Sequence, residues 1–317
     1  MAVWNEAWFH PAGSSALRGT RAVLALHALW IVLSRPDLPE IVTWPRELWR
    51  QVDTPQAMRF GIGLLPAGVE WALYMLLPLV LLLAIAGPAP RAAGVLSAAL
   101  LYHFAPFEEI LVGMPHTFFG GLTVPVLGLF ILGGAESPAR SAAASSENRW
   151  PVVLVRLLFS FNYFFAGLAK LRFSGLAWFT AENVRRWSIE NGAVSGAPWA
   201  VWVASFPVLC WGIAIGTGVV ELLFPLAAFS RTAARLLVPL ALLGHIGIAQ
   251  TMGIWFPSLP LLLLFVDWDD LGLARQRLLY GLRRGFGRPA GGESEDPGAG
   301  EHARHLEDAP GGARVHQ

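Results

Sequence analysis

Long apolar runs separated by short polar segments organise this chain. A bilayer's hydrocarbon is crossed by about 20 mostly apolar helical residues. Read on that scale, the pattern predicts helices near 19–35, 67–87, 91–107, 116–133, 151–172, 200–229, 232–251 and 254–268. The first, third and last runs are short and lean on flanking Trp, Tyr and Arg, which leaves a re-entrant or shifted path open for each. Pro78, Pro125, Pro207, Pro225, Pro239 and Pro260 fall inside the runs, where a membrane bundle can re-satisfy the freed carbonyls, so kinked helices are expected. Gly212, Gly216 and Gly218 offer small faces for close helix contact in the sixth run. The expected fold class is all-α, a polytopic integral membrane bundle of about eight transmembrane helices.

Two segments between the runs have an interfacial character. Residues 39–60 carry Trp44, Trp49 and Phe60 beside Arg46, Arg50, Arg59, Glu40, Glu47 and Asp53; residues 176–190 carry Trp178, Phe179 and Trp187 beside Arg185 and Arg186. Aromatic rings with balanced charge suit amphipathic helices lying at headgroup level. The expected division is a transmembrane domain over 1–270, a basic juxtamembrane helix over 271–286 and a disordered cytoplasmic tail over 287–317, rich in Gly, Pro, Glu, Asp and His.

Composition agrees with the run pattern: 55% of the 317 residues are hydrophobic and 14% charged, with a mean hydropathy of +0.51, against roughly 25% charged in ordinary soluble domains. A formal net charge of +1 and no basic block within the apolar part argue against a nucleic-acid partner. Cys210 is the single cysteine, which excludes an intramolecular disulfide, a CxxC pair and a thiolate metal cluster. The first residues, with Trp4, Glu6, Trp8, His10 and Pro11, do not read as a cleavable signal peptide, so the first helix is expected to act as its own insertion signal. With eight spans, Arg18, Arg21, Arg91, Arg140, Arg149, Arg231, Arg235, Arg275, Arg277, Arg283 and Arg284 share one side. The opposite short loops, 108–115 and 251–254, hold no Lys or Arg, so both termini are expected in the cytoplasm of a cell-membrane protein. The arginines of the two amphipathic segments run against this assignment.

Ionisable groups at membrane depth are costly and are functional candidates by default. Here they are His27, Glu70, His103, Glu108, Glu109, His116, Arg156, Lys170, Glu221 and His245. With the orientation above, His103, His116, Lys170 and His245 fall near the outer ends of four different spans, which predicts an extracytoplasmic cavity around Lys170. Lys170 is the single lysine beside 22 arginines. Such a position suits an amine able to lose its proton and act as a general base, which a guanidinium does not do; a snorkelling lysine is the structural alternative. His116 opens a span after Gly113, Met114 and Pro115, and His245 is flanked by Gly244 and Gly247, which leave room for a neighbour. Glu221 is expected nearer the inner side, paired with Arg156 in a structural role. No metal site is expected from His103, His116 and His245, none of which has a short-spaced ligand partner. No phosphate-binding loop or nucleophile elbow is present in the pattern.

The run Tyr163-Phe164-Phe165-Ala166-Gly167-Leu168-Ala169-Lys170-Leu171 followed by Trp178 resembles a signature of the membrane domain of vitamin K-dependent gamma-carboxylase. That signature is shared with the bacterial horizontally transferred transmembrane (HTTM) domain proteins. His116 at the start of a span, Glu221 in Val-Val-Glu-Leu-Leu, and the stretch from Gly244-His245 through Gly253, Phe256 and Phe265 resemble further family positions in the same order. The likeness covers most of residues 5–270. It implies that Lys170 is the base that starts oxygenation of a hydroquinone and that His116 supports it. His245, Glu221 and Trp178 then line or orient the cavity, and His103 is placed with them by its depth. The carboxylase's large lumenal region, which recognises its protein substrate, has no counterpart here, so gamma-carboxylation by this chain alone is not expected.

Two functions compete. One is a carboxylase-like, lyase-like membrane enzyme acting on a quinone, hydroquinone or other isoprenoid lipid, with a quinone as the implied cofactor or ligand. The other is a non-enzymatic binding or maturation factor whose cavity holds a lipid or peptide, acting with a soluble protein partner. A transporter is a weaker third, since no inverted repeat is evident and membrane carboxylates are few.

Overall fold

Residues 2–35, 40, 65–87, 89–112, 117–135 and 144–272 are described by a computed structural model, all within a compact unit spanning Met1–Leu273. The chain runs through α1 (Ala2–Phe9), α2 (Ser14–Leu33), α3 (Ala67–Ala86), α4 (Pro90–Val112), α5 (Thr117–Ala135) and α6 (Ser146–Ser174). It continues through α7 (Ala181–Trp187), α8 (Ala200–Ala204), α9 (Pro207–Leu223), α10 (Leu226–Phe229) and α11 (Arg231–Met252). Two 3₁₀ turns, Gly175–Phe179 and Leu259–Phe265, and a π turn, Ser188–Ala193, complete it. Among the described residues there is no strand, only an isolated bridge between Ala12 and Ser145. The described residues are all-α, and four segments among them are long and apolar enough to cross a membrane: Ser14–Leu33, Ala67–Ala86, Ser146–Phe179 and Arg231–Met252.

Several helices outrun the apolar runs that announce them, because polar caps extend them. α6 begins at Ser146 because the Ser145 hydroxyl accepts the Glu147 N–H at 3.2 Å. α2 begins at Ser14 because a distant carboxylate caps it: Asp269 accepts the N–H groups of Gly13 at 2.8 Å and Ala16 at 3.1 Å, and the Ser15 hydroxyl. An anion at a helix N-terminus meets its unpaired donors and the positive end of its dipole. α3 and α11 end at Gly87 (φ 84°) and Gly253 (φ 67°), which take the left-handed conformation that closes a helix.

The sixth predicted run, 200–229, is three helices rather than one. Phe206, ahead of Pro207, is extended (φ −117°, ψ 90°), as a residue before proline prefers, and α9 starts with Pro207 at its first turn. Pro225 separates α9 from α10. Pro78, Pro125 and Pro239 by contrast lie within helices that continue through them.

The last predicted run, 254–268, also departs from a helix. It contains a 3₁₀ turn of 7 residues, Leu259–Phe265, with Pro260 near its start, a length of about 14 Å. Its path nevertheless retraces α11. Phe256 lies against His245 at 4.5 Å between ring centroids, Phe265 against Phe159 at 6.1 Å, and the Asp267 carboxylate accepts from Arg231 at 2.9 Å. Asp269 then reaches the start of α2, so the chain returns to the end from which α2 and α11 set out.

α2 is central, packed against α3, α5, α6 and the Leu259–Phe265 turn. Leu24, Leu77, Leu81, Leu101, Leu129, Phe159, Phe224 and Leu261 are fully buried in one continuous core. α4 and α5 approach closely because neither helix has a side chain at the crossing. A Cβ on Gly133 would lie 3.0 Å from the Arg91 carbonyl oxygen, and one on Gly94 3.1 Å from that of Leu129. Outward faces are apolar: Leu236, Leu240, Leu243 and Ile246 form an exposed stripe along α11, and Met75, Leu79 and Leu82 one on α3. A soluble helix carries charge on that side.

The amphipathic segment expected at 176–190 is helical: the Gly175–Phe179 turn, α7 and the π turn, with Val184 buried, Trp187 exposed and Arg186 bonded to Glu190 at 2.9 Å. The amphipathic segment expected at 39–60, apart from residue 40, lies outside the described residues, as do His116 and the expected juxtamembrane helix and tail beyond residue 272.

Candidate functional site

Tyr163, Gly167 and Lys170 are spaced four and three residues apart on α6, which puts them on one helical face. That face meets α9. Gly167 sets the approach: a Cβ there would lie 3.0 Å from the Glu221 Cβ and 3.2 Å from Leu222. With the helices this close, the Lys170 Nζ donates to Glu221 Oε1 in an ion pair whose side chains are 18% and 12% exposed. Long helical side chains lean towards the N-terminus of their own helix, which brings the Lys170 ammonium back to the level of Gly167.

Beyond α6 the backbone makes a sharp turn at Gly175 (φ 57°, ψ −145°), a conformation open to glycine, and enters the Gly175–Phe179 turn. This turn folds two rings back onto the helix pair. The Trp178 ring lies 5.3 Å from the Lys170 Nζ, a cation–π contact. Phe179 packs on Gly218 of α9 so tightly that a Cβ there would be 2.1 Å from its ring.

The other half of the site is Tyr163 with His245 of α11, the hydroxyl and Nε2 being 2.7 Å apart. Tyr163 stacks on Phe224 with centroids 4.1 Å apart, and His245 rests on Phe256. The two halves share their helices: Tyr163 lies on α6 with Lys170, and the Phe224 on which it stacks follows Glu221 at the end of α9. Glu221 Oε2 and His245 Nδ1 are buried with no hydrogen-bond partner among the described residues. The site therefore holds one amine, one carboxylate, one phenol and one imidazole within an aromatic wall, with two polar atoms unspent.

Lys170, Glu221 and Trp178 are brought into direct contact as one site, and His245 joins through Tyr163. Two expectations are corrected. Glu221 pairs with Lys170 rather than with Arg156. The Arg156 guanidinium instead donates to the carbonyls of Leu264 at 2.8 Å and Val266 at 3.1 Å, in the 3₁₀ turn and just beyond it, where the backbone lacks helical partners. His103 belongs to a different cluster: its Nε2 is 2.8 Å from Glu70 Oε2, and the fully buried Glu70 also accepts the Leu65 N–H at 3.0 Å. Among the described residues Gly244 and Gly247 have no atom within 4 Å of an added Cβ, as is true of Gly212 and Gly216.

Tyr163 is the site residue that pattern reading passed over as a candidate, although its position two turns before Lys170 on the Gly167 face signals it. Among the described residues no three His, Cys, Asp or Glu side chains form a metal-binding group. A cleft of about 330 Å³ opens at the other end of α6, beside Arg149 and Arg156. Set against protein-family models, curated proteins and solved structures, the chain matches none of them.

Proposed function

We propose that this is a multi-pass membrane protein crossing the bilayer about eight times. Its Lys170 site carries out base chemistry on a quinone-like or other isoprenoid lipid, in the manner of the vitamin K-dependent gamma-carboxylase and HTTM class that its signature resembles. The observation that carries the reading is the Lys170–Glu221 pair, set among aromatic rings beside Tyr163 and His245. Membrane insertion is supported by the four long apolar segments and by the apolar outward faces of α3 and α11. The eighth crossing is assigned to residues 254–268 as a non-helical return. Such backbone is tolerated at membrane depth where it is buried in protein, and here Arg156 satisfies two of its carbonyls.

In a low-dielectric site, transfer of the shared proton from the Lys170 ammonium to Glu221 exchanges an ion pair for a neutral amine and a neutral acid, without change in net charge. The Lys170 Nζ lone pair then takes the proton of a phenolic O–H, giving an ammonium and a hydroquinone monoanion. Tyr163 and His245 orient the ring, and His116 supports the base, as the resemblance implies. Trp178 and Phe256 supply flat apolar surface to an aromatic headgroup.

A second reading, a non-enzymatic lipid- or peptide-binding factor with a soluble partner, draws on the same ion pair treated as structural glue between α6 and α9. The two separate in one comparison. Lipid co-purifying from native membrane is identified for the wild type and for Lys170→Met and Lys170→Arg. A quinone retained by the wild type and depleted in Lys170→Met supports the lipid site. Turnover lost in Lys170→Arg supports the base, whereas full function in Lys170→Arg favours the binding factor.

A further inference from the structure

The cleft at the opposite end of α6 from Lys170 has a distinct chemistry. Arg149 and Arg156 of α6 and Arg231 and Arg235 of α11 line it, with Asp267 as the one carboxylate on its wall among the described residues. Four guanidinium groups thus face a single acid. Asp267 is engaged by Arg231 at 2.9 Å, and the nearby Asp269 is spent on the N-terminus of α2. Arg149, Arg156 and Arg231 lie within one another's fields, an arrangement that favours an anion between them.

Their donors are not exhausted. Arg156 uses Nε and Nη2 on the carbonyls of Leu264 and Val266, leaving Nη1. Arg149 uses Nε on the Ala7 carbonyl at 3.2 Å, leaving both Nη groups. Arg235 is exposed and makes no ion pair among the described residues. Guanidinium forks match the oxygens of a phosphate ester in pairs.

The remaining wall is apolar. Ala234, Val238 and Pro239 continue the cleft along α11 from the arginines, and Leu262 and Phe265 face them. Along α11 this is the direction leading from its charged start into its apolar length, so a ligand filling the cleft has an anionic head and a greasy body. We propose that this cleft binds the phosphate-ester headgroup of an anionic membrane lipid, its acyl chain lying along α11 beyond Pro239. The site is independent of the Lys170 chemistry, lying at the other end of α6.

The test uses the full chain in nanodiscs and detergent, with phosphatidylglycerol, phosphatidylcholine or inorganic phosphate as the probe. Native mass spectrometry counts retained lipid, and thermal unfolding reads stabilisation. The variants are Arg235→Gln, the double variant Arg149→Gln with Arg235→Gln, and Arg18→Gln, a control on an exposed arginine of α2. Phosphatidylglycerol is expected to bind and stabilise, phosphatidylcholine not to, and the double variant to bind roughly tenfold or more weakly, the scale of one lost charged hydrogen bond. Stabilisation by inorganic phosphate alone, lost in the same variants, would identify a soluble phosphate as the source of the same chemistry. Equal retention of both lipids, or an equal loss in Arg18→Gln, overturns the proposal. Arg235 is exposed, so unchanged binding in that variant and in the double variant also counts against it.

Discussion

Lys170 and Glu221, 51 residues apart in sequence, meet as an ion pair between α6 and α9 at the level where Gly167 lets the two helices touch. Breaking one partner leaves a charge stranded in apolar surroundings. Lys170→Met and Glu221→Leu are each expected to lower unfolding free energy by about 3–5 kcal/mol, and the double variant to cost far less than their sum. Reversible denaturation in mixed micelles measures the cycle; additive losses would show that the pair is not coupled.

The glycines of α9 are expected to differ sharply in tolerance. Gly218→Ala drives a methyl into the Phe179 ring, whereas among the described residues Gly212 and Gly216 have no atom within 4 Å of an added Cβ. The first substitution should destabilise by about 1–3 kcal/mol, and the other two should stay within about 0.5 kcal/mol of wild type. Melting temperatures of the three single variants decide this.

How far the sequence could be read is clearest at these helices. The apolar runs located every long helix among the described residues, because length and hydropathy are local properties of the chain. They did not reveal the breaks at Pro207 and Pro225, since a proline within an apolar run is compatible with a kinked continuous helix, as Pro78, Pro125 and Pro239 demonstrate. Depth sorting grouped Lys170 with His245, and the resemblance added Trp178, but Glu221 was sent to the wrong partner. A single unbroken helix over 200–229 puts residue 221 far from Lys170. His103 was grouped with them by depth alone, and depth does not say which helices are neighbours; Glu70, on the adjacent α3, claims it. The cap from Asp269 to Gly13 joins residues 256 positions apart, a contact with no local signature.

Arg156 is expected to hold the non-helical return in place. Arg156→Gln removes two charged hydrogen bonds to the Leu264 and Val266 carbonyls, each worth about 1.5–3 kcal/mol. Hydrogen exchange across 259–268 should speed markedly while exchange in α3 is unchanged. Uniform acceleration through the bundle would place the role of Arg156 elsewhere.

His103 and Tyr163 should separate stability from chemistry. His103→Ala strands the buried Glu70 carboxylate and should lower stability while sparing hydroquinone turnover per folded molecule. Tyr163→Phe removes only the hydroxyl that meets His245, so it should cost about 1 kcal/mol of stability and a larger share of turnover. Initial rates normalised to folded protein make the comparison; the reverse ranking would assign the chemistry to the Glu70–His103 cluster.

The most direct measurement is protein-dependent oxygen uptake with an isoprenoid naphthohydroquinone, comparing wild type, Lys170→Arg and Lys170→Met in nanodiscs. If Lys170 is the base, the wild type consumes oxygen above the rate without protein. Both variants then fall to that rate, although Lys170→Arg keeps its charge beside Glu221 and remains folded. Uptake by Lys170→Arg equal to wild type, or none by folded wild-type protein, would contradict the account.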